Sequence, residues 1–116
     1  MTGRLPNAAQ AFVDLAKITE YLLAPDHPDA EGKAEYFSGL GFSVDAPEAL
    51  VQFLIAHADL GVLAETIPTS RGMKYVVEGP IACPDGRVAS LRTVWFVRHG
   101  EDFPRLVTAY PLRVKR

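Results

Sequence analysis

The sequence predicts a single α+β domain in which three N-terminal helices pack on an antiparallel β-meander of about four strands. Residues 75–110 contain three runs rich in β-branched and aromatic residues, separated by two short turn segments. Because short turns join only antiparallel neighbours, these runs are predicted to form a meander. In the first half of the chain, apolar residues instead recur at helical spacing, so we expect the helices to precede the sheet.

Length and composition fit one domain that spans residues 1–116. The chain has 116 residues, of which 48% are hydrophobic, and this is sufficient for one core. The single cysteine, Cys83, excludes an internal disulfide and is typical of a reducing compartment. No apolar run reaches the ~20 residues of a membrane-spanning helix, and the N-terminus lacks the pattern of a signal peptide. We therefore expect a soluble, cytoplasmic protein with no membrane partner.

Each of the three helices has recognisable boundaries. The first is predicted from Leu15 to Leu23, with Asp14 as its N-cap and prolines beyond its end. The second is predicted to run through Leu40, with Asp29 as its cap. The third begins at residues 45–48, where the letters DAPE resemble a capping box with proline in the first turn. Gly61 fits the position that follows its last turn.

Strand signals fill the rest of the chain. A first strand is predicted from Val62 to Ile67, and the turn CPDG at residues 83–86 separates the first two strands of the meander. A second turn is predicted at residues 99–102. In the run 87–98, alternate residues form one face that is the better candidate for the core: Ala89, Leu91, Thr93, Trp95 and Val97.

The two halves of the chain differ in charge. Residues 1–58 carry three basic and eight acidic residues, a net charge of −5, whereas residues 59–116 carry nine basic and six acidic residues, a net charge of +3. One interpretation assigns no function to this difference: the basic tail is solvated, and the helical and sheet surfaces simply differ in charge. The other is a sheet face that binds phosphate.

Motifs for cofactors and metals are absent from the sequence. GxGxxG, GxxxxGK, CxxC and HExxH do not occur, so we expect no cofactor and no dedicated zinc site. Cys83 lies in a turn with no basic neighbour before Arg87, which does not favour a reactive thiolate.

Two candidate site residues lie near the second helix. His27 is held between two prolines, and imidazole is well suited to proton transfer near neutral pH. The alternative is a residue that only caps the helix entry. Lys33 stands in a first helical turn, where the helix dipole favours an acid instead. His57 is expected to interact with the C-terminus of the third helix.

Three hydroxyl-bearing strand residues complete the candidate site. They are Thr93, Thr108 and Tyr110, and the last two are predicted to share one face of the final strand with Leu106. They suggest a row of hydroxyls on the open side of the sheet. The alternative is simple strand propensity, because threonine and tyrosine are good strand formers.

Four segments carry a resemblance to a known family. They read PDHPDAEGKAEYFSGLGF, KYVVEGPIACPDGR, LRTVWFV and PRLVTAYP. From about Leu5 to Leu112 the chain resembles a bacterial family of small domains of unknown function, found alone and beside modules of toxin systems. It also resembles, more weakly, the barnase–EndoU–colicin–RelE ribonuclease fold. That resemblance implies site residues on a helix side (His27, Lys33) and on a strand side (Thr93, Thr108, Tyr110).

Two functions remain open at this point. The first is a metal-independent endoribonuclease or toxin-like domain, with RNA as its partner. In it His27 would be the base, Tyr110 the acid and Lys33 the cation that meets the phosphate. The second is a non-catalytic interaction module that binds a protein partner through exposed apolar residues such as Phe96 or Phe103.

Overall fold

The structure is a computed structural model that describes residues 3–24 and 33–112. Within those ranges, a 3₁₀ turn (Ala8–Gln10) and three longer helical segments precede a four-stranded antiparallel sheet in which sequence neighbours pair in the order β1-β2-β3-β4. The predicted α+β class is therefore confirmed. No helix in the described ranges is long and apolar enough to cross a membrane.

The first helical segment begins where the sequence predicts. α1 (Leu15–Lys17) continues directly into a π-helical turn (Ile18–Leu22), which ends one residue before the predicted boundary. The Asp14 carboxylate accepts a hydrogen bond from the backbone N–H of Ala16 at 3.0 Å. This is the predicted N-cap, and it satisfies one of the donors that a helix start leaves unpaired.

The other two helices follow with one difference from prediction. α2 (Lys33–Gly39) ends one residue before the predicted Leu40, and its predicted cap, Asp29, lies outside the described residues. α3 (Pro47–Leu60) begins with proline at its first position. Its N-cap is Ala46, which makes no side-chain cap hydrogen bond, so the predicted capping box does not form. An alanine side chain has no acceptor for the backbone N–H groups of the first turn.

The four strands lie close to their predicted positions. They are β1 (Val62–Thr69), β2 (Gly72–Ala82), β3 (Val88–Arg98) and β4 (Arg105–Pro111). The two predicted turns connect the last three strands, and each contains a glycine with positive φ, at 88° and 85°. Left-handed backbone of this kind favours glycine. Because each turn has a glycine at that position, both turns could be predicted from the sequence.

One face of the sheet forms the core with the helices. The side chain of Trp95 is fully buried, with 0% exposure, and Leu91 and Thr93 on the same face of β3 are also fully buried. The predicted core face of β3 is therefore correct. The opposite face, which we call the open face, carries Val76 and Val94. These two are buried among their strand neighbours and do not belong to the core cluster that includes the helices.

α3 meets the sheet closely at its C-terminal end. A Cβ atom added to Gly61 would lie 2.5 Å from Cγ1 of Val77 and 2.9 Å from the carbonyl oxygen of His57. The φ angle of Gly61 is −75°, which any residue can adopt. Glycine is therefore required here because a side chain would collide with Val77 and the His57 carbonyl.

A β-bulge in β4 changes which residues share a face. Trp95 pairs with Leu106 but the preceding Val94 pairs with Thr108, so Val107 is an extra residue on β4. Leu106 is buried with the core, whereas Thr108 and Tyr110 lie on the open face. The prediction that Leu106 shares their face is wrong, because simple alternation does not anticipate the bulge.

Candidate functional site

A row of three polar side chains crosses the open face. Glu78, Arg92 and Tyr110 are register partners on β2, β3 and β4, and paired residues of antiparallel strands point to the same side. The Arg92 guanidinium forms an ion pair with Glu78. It also donates a hydrogen bond to the Tyr110 hydroxyl at 3.3 Å and lies 5.7 Å from the centre of that ring.

The Arg92 guanidinium has one nitrogen without a partner. Its Nε atom is buried and has no hydrogen-bond acceptor in the described part of the chain. The hydrogen bond to Tyr110 and then the one to Glu78 raise the pKa of Arg92, so the group stays charged. A cavity of about 290 Å³ adjoins Arg92 and Tyr110. The end of the sheet therefore carries a fixed cation and a phenol beside an open space.

A second polar cluster joins the helices to β4. The Tyr21 hydroxyl, from the π-helical turn, lies 3.4 Å from Oγ1 of Thr108. The amine of Lys33, at the start of α2, donates to the same Tyr21 hydroxyl at 3.4 Å. The amines of Lys17 and Lys33 lie 5.0 Å and 5.4 Å from the centre of the Tyr21 ring. We call these four residues the Tyr21 cluster: Lys17, Tyr21, Lys33 and Thr108.

The structure brings three of the five candidate residues to one region. Lys33 and Thr108 meet through Tyr21, which the sequence analysis did not single out. Tyr110 follows Thr108 by two residues on the same face, about 6.6 Å further along an extended strand. His27 lies outside the described residues.

Thr93 lies on the opposite face and does not join them. Its hydroxyl accepts a hydrogen bond from Nε1 of Trp95 at 2.8 Å and lies 3.0 Å from Nδ1 of His57. Nε2 of His57 lies 3.2 Å from the carbonyl oxygen of Gly79. All donors and acceptors match if His57 is neutral, with its proton on Nε2 and the Thr93 hydroxyl donating to Nδ1. Burial lowers the pKa of His57, which favours that neutral form.

Comparison with known proteins places the chain in a family. Residues 4–113 match the model of the family described as "Domain of unknown function (DUF6883)". The chain belongs to this family. A search of curated proteins found no match to this chain.

A solved structure has a similar fold. It is a chain of a "Contact-dependent growth inhibition toxin - immunity protein complex from Klebsiella pneumoniae 342", with a TM-score of 0.68 and 14% sequence identity. The match covers 92% of this chain and 97% of that chain. At this identity the likeness shows a shared fold, and the fold occurs in a bacterial toxin system, as the sequence resemblance implied.

The two aromatic residues considered as binding anchors are half-buried. Phe96 lies on the open face of the DUF6883 domain, where its register partners are Lys74 on β2 and Arg105 on β4. The centres of the Phe103 and Phe12 rings are 6.3 Å apart, and the Arg105 guanidinium carbon lies 4.8 Å from the centre of the Phe103 ring. Neither is among the prominently exposed apolar residues of the described chain.

A further cavity of the described chain is apolar. It measures about 460 Å³ and lies between α3 and the CPDG turn, with Phe53, Leu60 and Cys83 in its wall. Burial raises the pKa of the Cys83 thiol, which opposes thiolate formation. In the ranges that the structure describes, no three His, Cys, Asp or Glu side chains are grouped so that they could hold a metal ion.

Proposed function

We propose that this DUF6883 domain is a metal-independent endoribonuclease that cleaves RNA at the open face of its sheet. One observation carries the proposal. Arg92 is fixed between Glu78 and Tyr110 at the mouth of a cavity, and the Tyr21 cluster brings Lys33 to the adjoining part of β4. Fixed cations beside a proton donor are the groups that stabilise a phosphate whose charge increases during reaction.

The reaction needs no nucleophile from the protein. The 2′-hydroxyl of RNA attacks the neighbouring phosphorus, an O2′–P bond forms, and the P–O5′ bond breaks. A base takes the proton of the 2′-hydroxyl, and an acid gives a proton to the departing O5′. The products are a 2′,3′-cyclic phosphate and a free 5′-hydroxyl, so atoms and charges balance.

Tyr110 is the proposed acid. Its oxygen accepts a hydrogen bond from Arg92, which leaves the phenolic proton for another acceptor. Arg92 and Lys33 supply the positive charge for the phosphate oxygens. His27 remains the proposed base, and Thr108 positions Tyr21 beside the substrate.

Thr93 has an indirect part in this proposal. Its hydroxyl is committed to Trp95 and His57 inside the core, so it acts as a positioning residue for β3. Arg92 is the preceding residue of that strand and points to the other face. In this way the buried network fixes the backbone from which Arg92 projects.

The biological setting that we propose is a toxin-like role in the bacterial cytoplasm, where RNA is abundant. The fold similarity to a chain of a toxin–immunity protein complex supports this setting. The same similarity favours a second function, in which the domain is a non-catalytic module that binds a protein partner. Phe96, half-buried between Lys74 and Arg105 on the open face, would then be the anchor of that interface.

The test is incubation of the purified domain with total RNA, in chelator and in Mg²⁺. Three variants accompany the wild type: His27→Ala, Tyr110→Phe and Arg92→Gln. We expect cleavage in chelator, cyclic phosphate ends on the products, and rates at least about a hundredfold lower for His27→Ala and Tyr110→Phe. Tyr110→Phe keeps the ring and removes only the hydroxyl.

A matched control is Tyr75→Phe, which changes a half-buried tyrosine on the core face of β2. It should cleave RNA like the wild type. Cleavage that needs Mg²⁺ would contradict metal independence, and full activity in both His27→Ala and Tyr110→Phe would end the proposed mechanism. A wild-type domain that cleaves no RNA in either buffer would leave the binding module as the better account.

A further inference from the structure

A small cavity beside β4 is lined by three cationic side chains that the proposed reaction does not use. Lys17 comes from α1, Arg98 from the end of β3 and Arg105 from the start of β4. The cavity measures about 180 Å³, several times the ~30 Å³ that one water molecule occupies in the liquid. Phe12 and Asp14 also line it.

The cations outnumber the carboxylates around this cavity. The Asp14 side chain caps α1, and the Glu101 carboxylate accepts two hydrogen bonds from Arg105, at 2.8 Å and 3.2 Å. The hydrogen bond from Arg105 and the nearby charge of Arg98 lower the pKa of Glu101. Arg98 itself is exposed and forms no ion pair within residues 3–24 and 33–112. Three cations and two carboxylates therefore surround the cavity, and Lys17 and Arg98 lie outside the Arg105–Glu101 ion pair, so the excess positive charge can attract an added anion.

An exposed aromatic ring stands beside these cations. Phe12 is 43% exposed, and its ring centre lies 5.8 Å from the Arg105 guanidinium carbon. Bases of single-stranded nucleic acid stack on such rings, while the phosphates follow a cationic groove. In a duplex the bases are already stacked on one another, so the combination of ring and cations favours a single strand.

The cavity shares one residue with the Tyr21 cluster of the proposed function. Lys17 lines the cavity, and its amine lies 5.0 Å from the centre of the Tyr21 ring. Arg105, Thr108 and Tyr110 share the open face of β4, and about 15 Å of extended strand separates the first from the last.

We infer that this cavity is a phosphate subsite for single-stranded RNA, with a neighbouring base stacked on Phe12. This inference rests on the proposed function, because the phosphate it binds flanks the bond that would be cleaved near Tyr110. A strand that lies along β4 would place one phosphate at Arg92 and another, further along the strand, between Lys17 and Arg98.

The test measures binding without cleavage. A fluorescein-labelled 2′-O-methyl RNA of about twelve nucleotides lacks the attacking hydroxyl, and its affinity is followed by fluorescence anisotropy over a range of salt concentrations. For a single strand, each phosphate contact contributes a slope of about −0.7 in log K against log salt. The variant Lys17→Gln/Arg98→Gln loses the one phosphate contact of this subsite, so its slope should be smaller in magnitude by about 0.7.

The matched control removes two cations elsewhere. Arg4→Gln/Arg87→Gln has the same net charge, and these residues bond to the carbonyl of Asp59 and to Asp85, away from the cavity. Its slope should equal that of the wild type. A third variant, Phe12→Leu, should bind at least about fivefold more weakly with an unchanged slope, because it loses stacking and no charge.

Each outcome separates this inference from the proposed function. An unchanged slope in Lys17→Gln/Arg98→Gln, or an equal fall in the control, overturns the subsite even if the wild type cleaves RNA. A reduced slope in that variant alone supports the subsite even if no RNA is cleaved, because the probe cannot react. Equal affinity for single-stranded and duplex probes, with Phe12→Leu unaffected, would overturn the stacking part. Thermal melting of each variant shows that it remains folded.

Discussion

Replacement of Thr93 by valine should destabilise the domain strongly although it changes the shape of the side chain very little. The Thr93 hydroxyl accepts from the Trp95 indole and donates to Nδ1 of His57, and all three residues are buried. Valine nearly fills the same space but can neither accept nor donate a hydrogen bond. The substitution therefore leaves a buried donor and a buried acceptor without partners and creates almost no cavity.

The expected size of the effect follows from those two groups. A buried polar group left unsatisfied costs about 1–3 kcal/mol, so with two such groups the free energy of unfolding should fall by about 2–6 kcal/mol. That is a large part of the 5–15 kcal/mol that is usual for a folded domain. The matched control is Thr108→Val on β4, a half-buried residue whose hydroxyl lies at a long 3.4 Å from the Tyr21 hydroxyl. It should cost less than ~1 kcal/mol.

Urea unfolding followed by the fluorescence of the single tryptophan, Trp95, measures both variants. Far-UV circular dichroism gives an independent midpoint, and similar m-values show that the same surface unfolds. A loss for Thr93→Val no greater than that for Thr108→Val would refute the reasoning. It would show that the hydrogen-bond network of His57, Thr93 and Trp95 contributes little to stability.

Three further predictions concern the same core. Because burial lowers the pKa of His57 below its ordinary value of 6.5, the unfolded chain binds more protons, and stability should fall as the pH drops below about 6.5. Urea midpoints from pH 8 to 5 measure this fall, which should shrink in His57→Gln. Trp95→Ala should cost about 3–5 kcal/mol in the same assay, whereas a loss under ~1 kcal/mol would mean that the strand faces are reversed. Gly61→Ala should lower the melting temperature clearly, since its Cβ would meet Val77 at 2.5 Å, and a melting temperature equal to that of the wild type would contradict this close approach.

The parts of the fold that could be predicted from the sequence are those fixed by local patterns of residues. The face of β3 that carries Trp95 follows from alternation alone, since no bulge precedes that residue on its own strand. The two turns of the meander are marked by glycine in positions that require positive φ. Asp14 caps its own helix through a hydrogen bond to a residue two positions away, so this cap could also be predicted without tertiary information.

The candidate site was predictable only in part, because it depends on long-range pairing. Lys33 and Thr108 were singled out, but their connection through Tyr21 requires the helical region to lie beside the last strand. Arg92 gains its importance from partners on two neighbouring strands, and only the register supplies them. The sequence reveals residue types and local spacing, whereas these contacts depend on the register and on the bulge.

The extra residue in β4 has a consequence for how such a surface can change. Because Val107 is surplus to the pairing of β3 with β4, a chain without it would still place Leu106 inward and Thr108 outward. What would change is the local twist, which a bulge increases. Insertion or removal of one residue at this point therefore rotates Thr108 and Tyr110 relative to Arg105 without exposing the core. A chain of the same fold can in this way change the orientation of the Thr108 and Tyr110 side chains while Leu106 stays paired with Trp95.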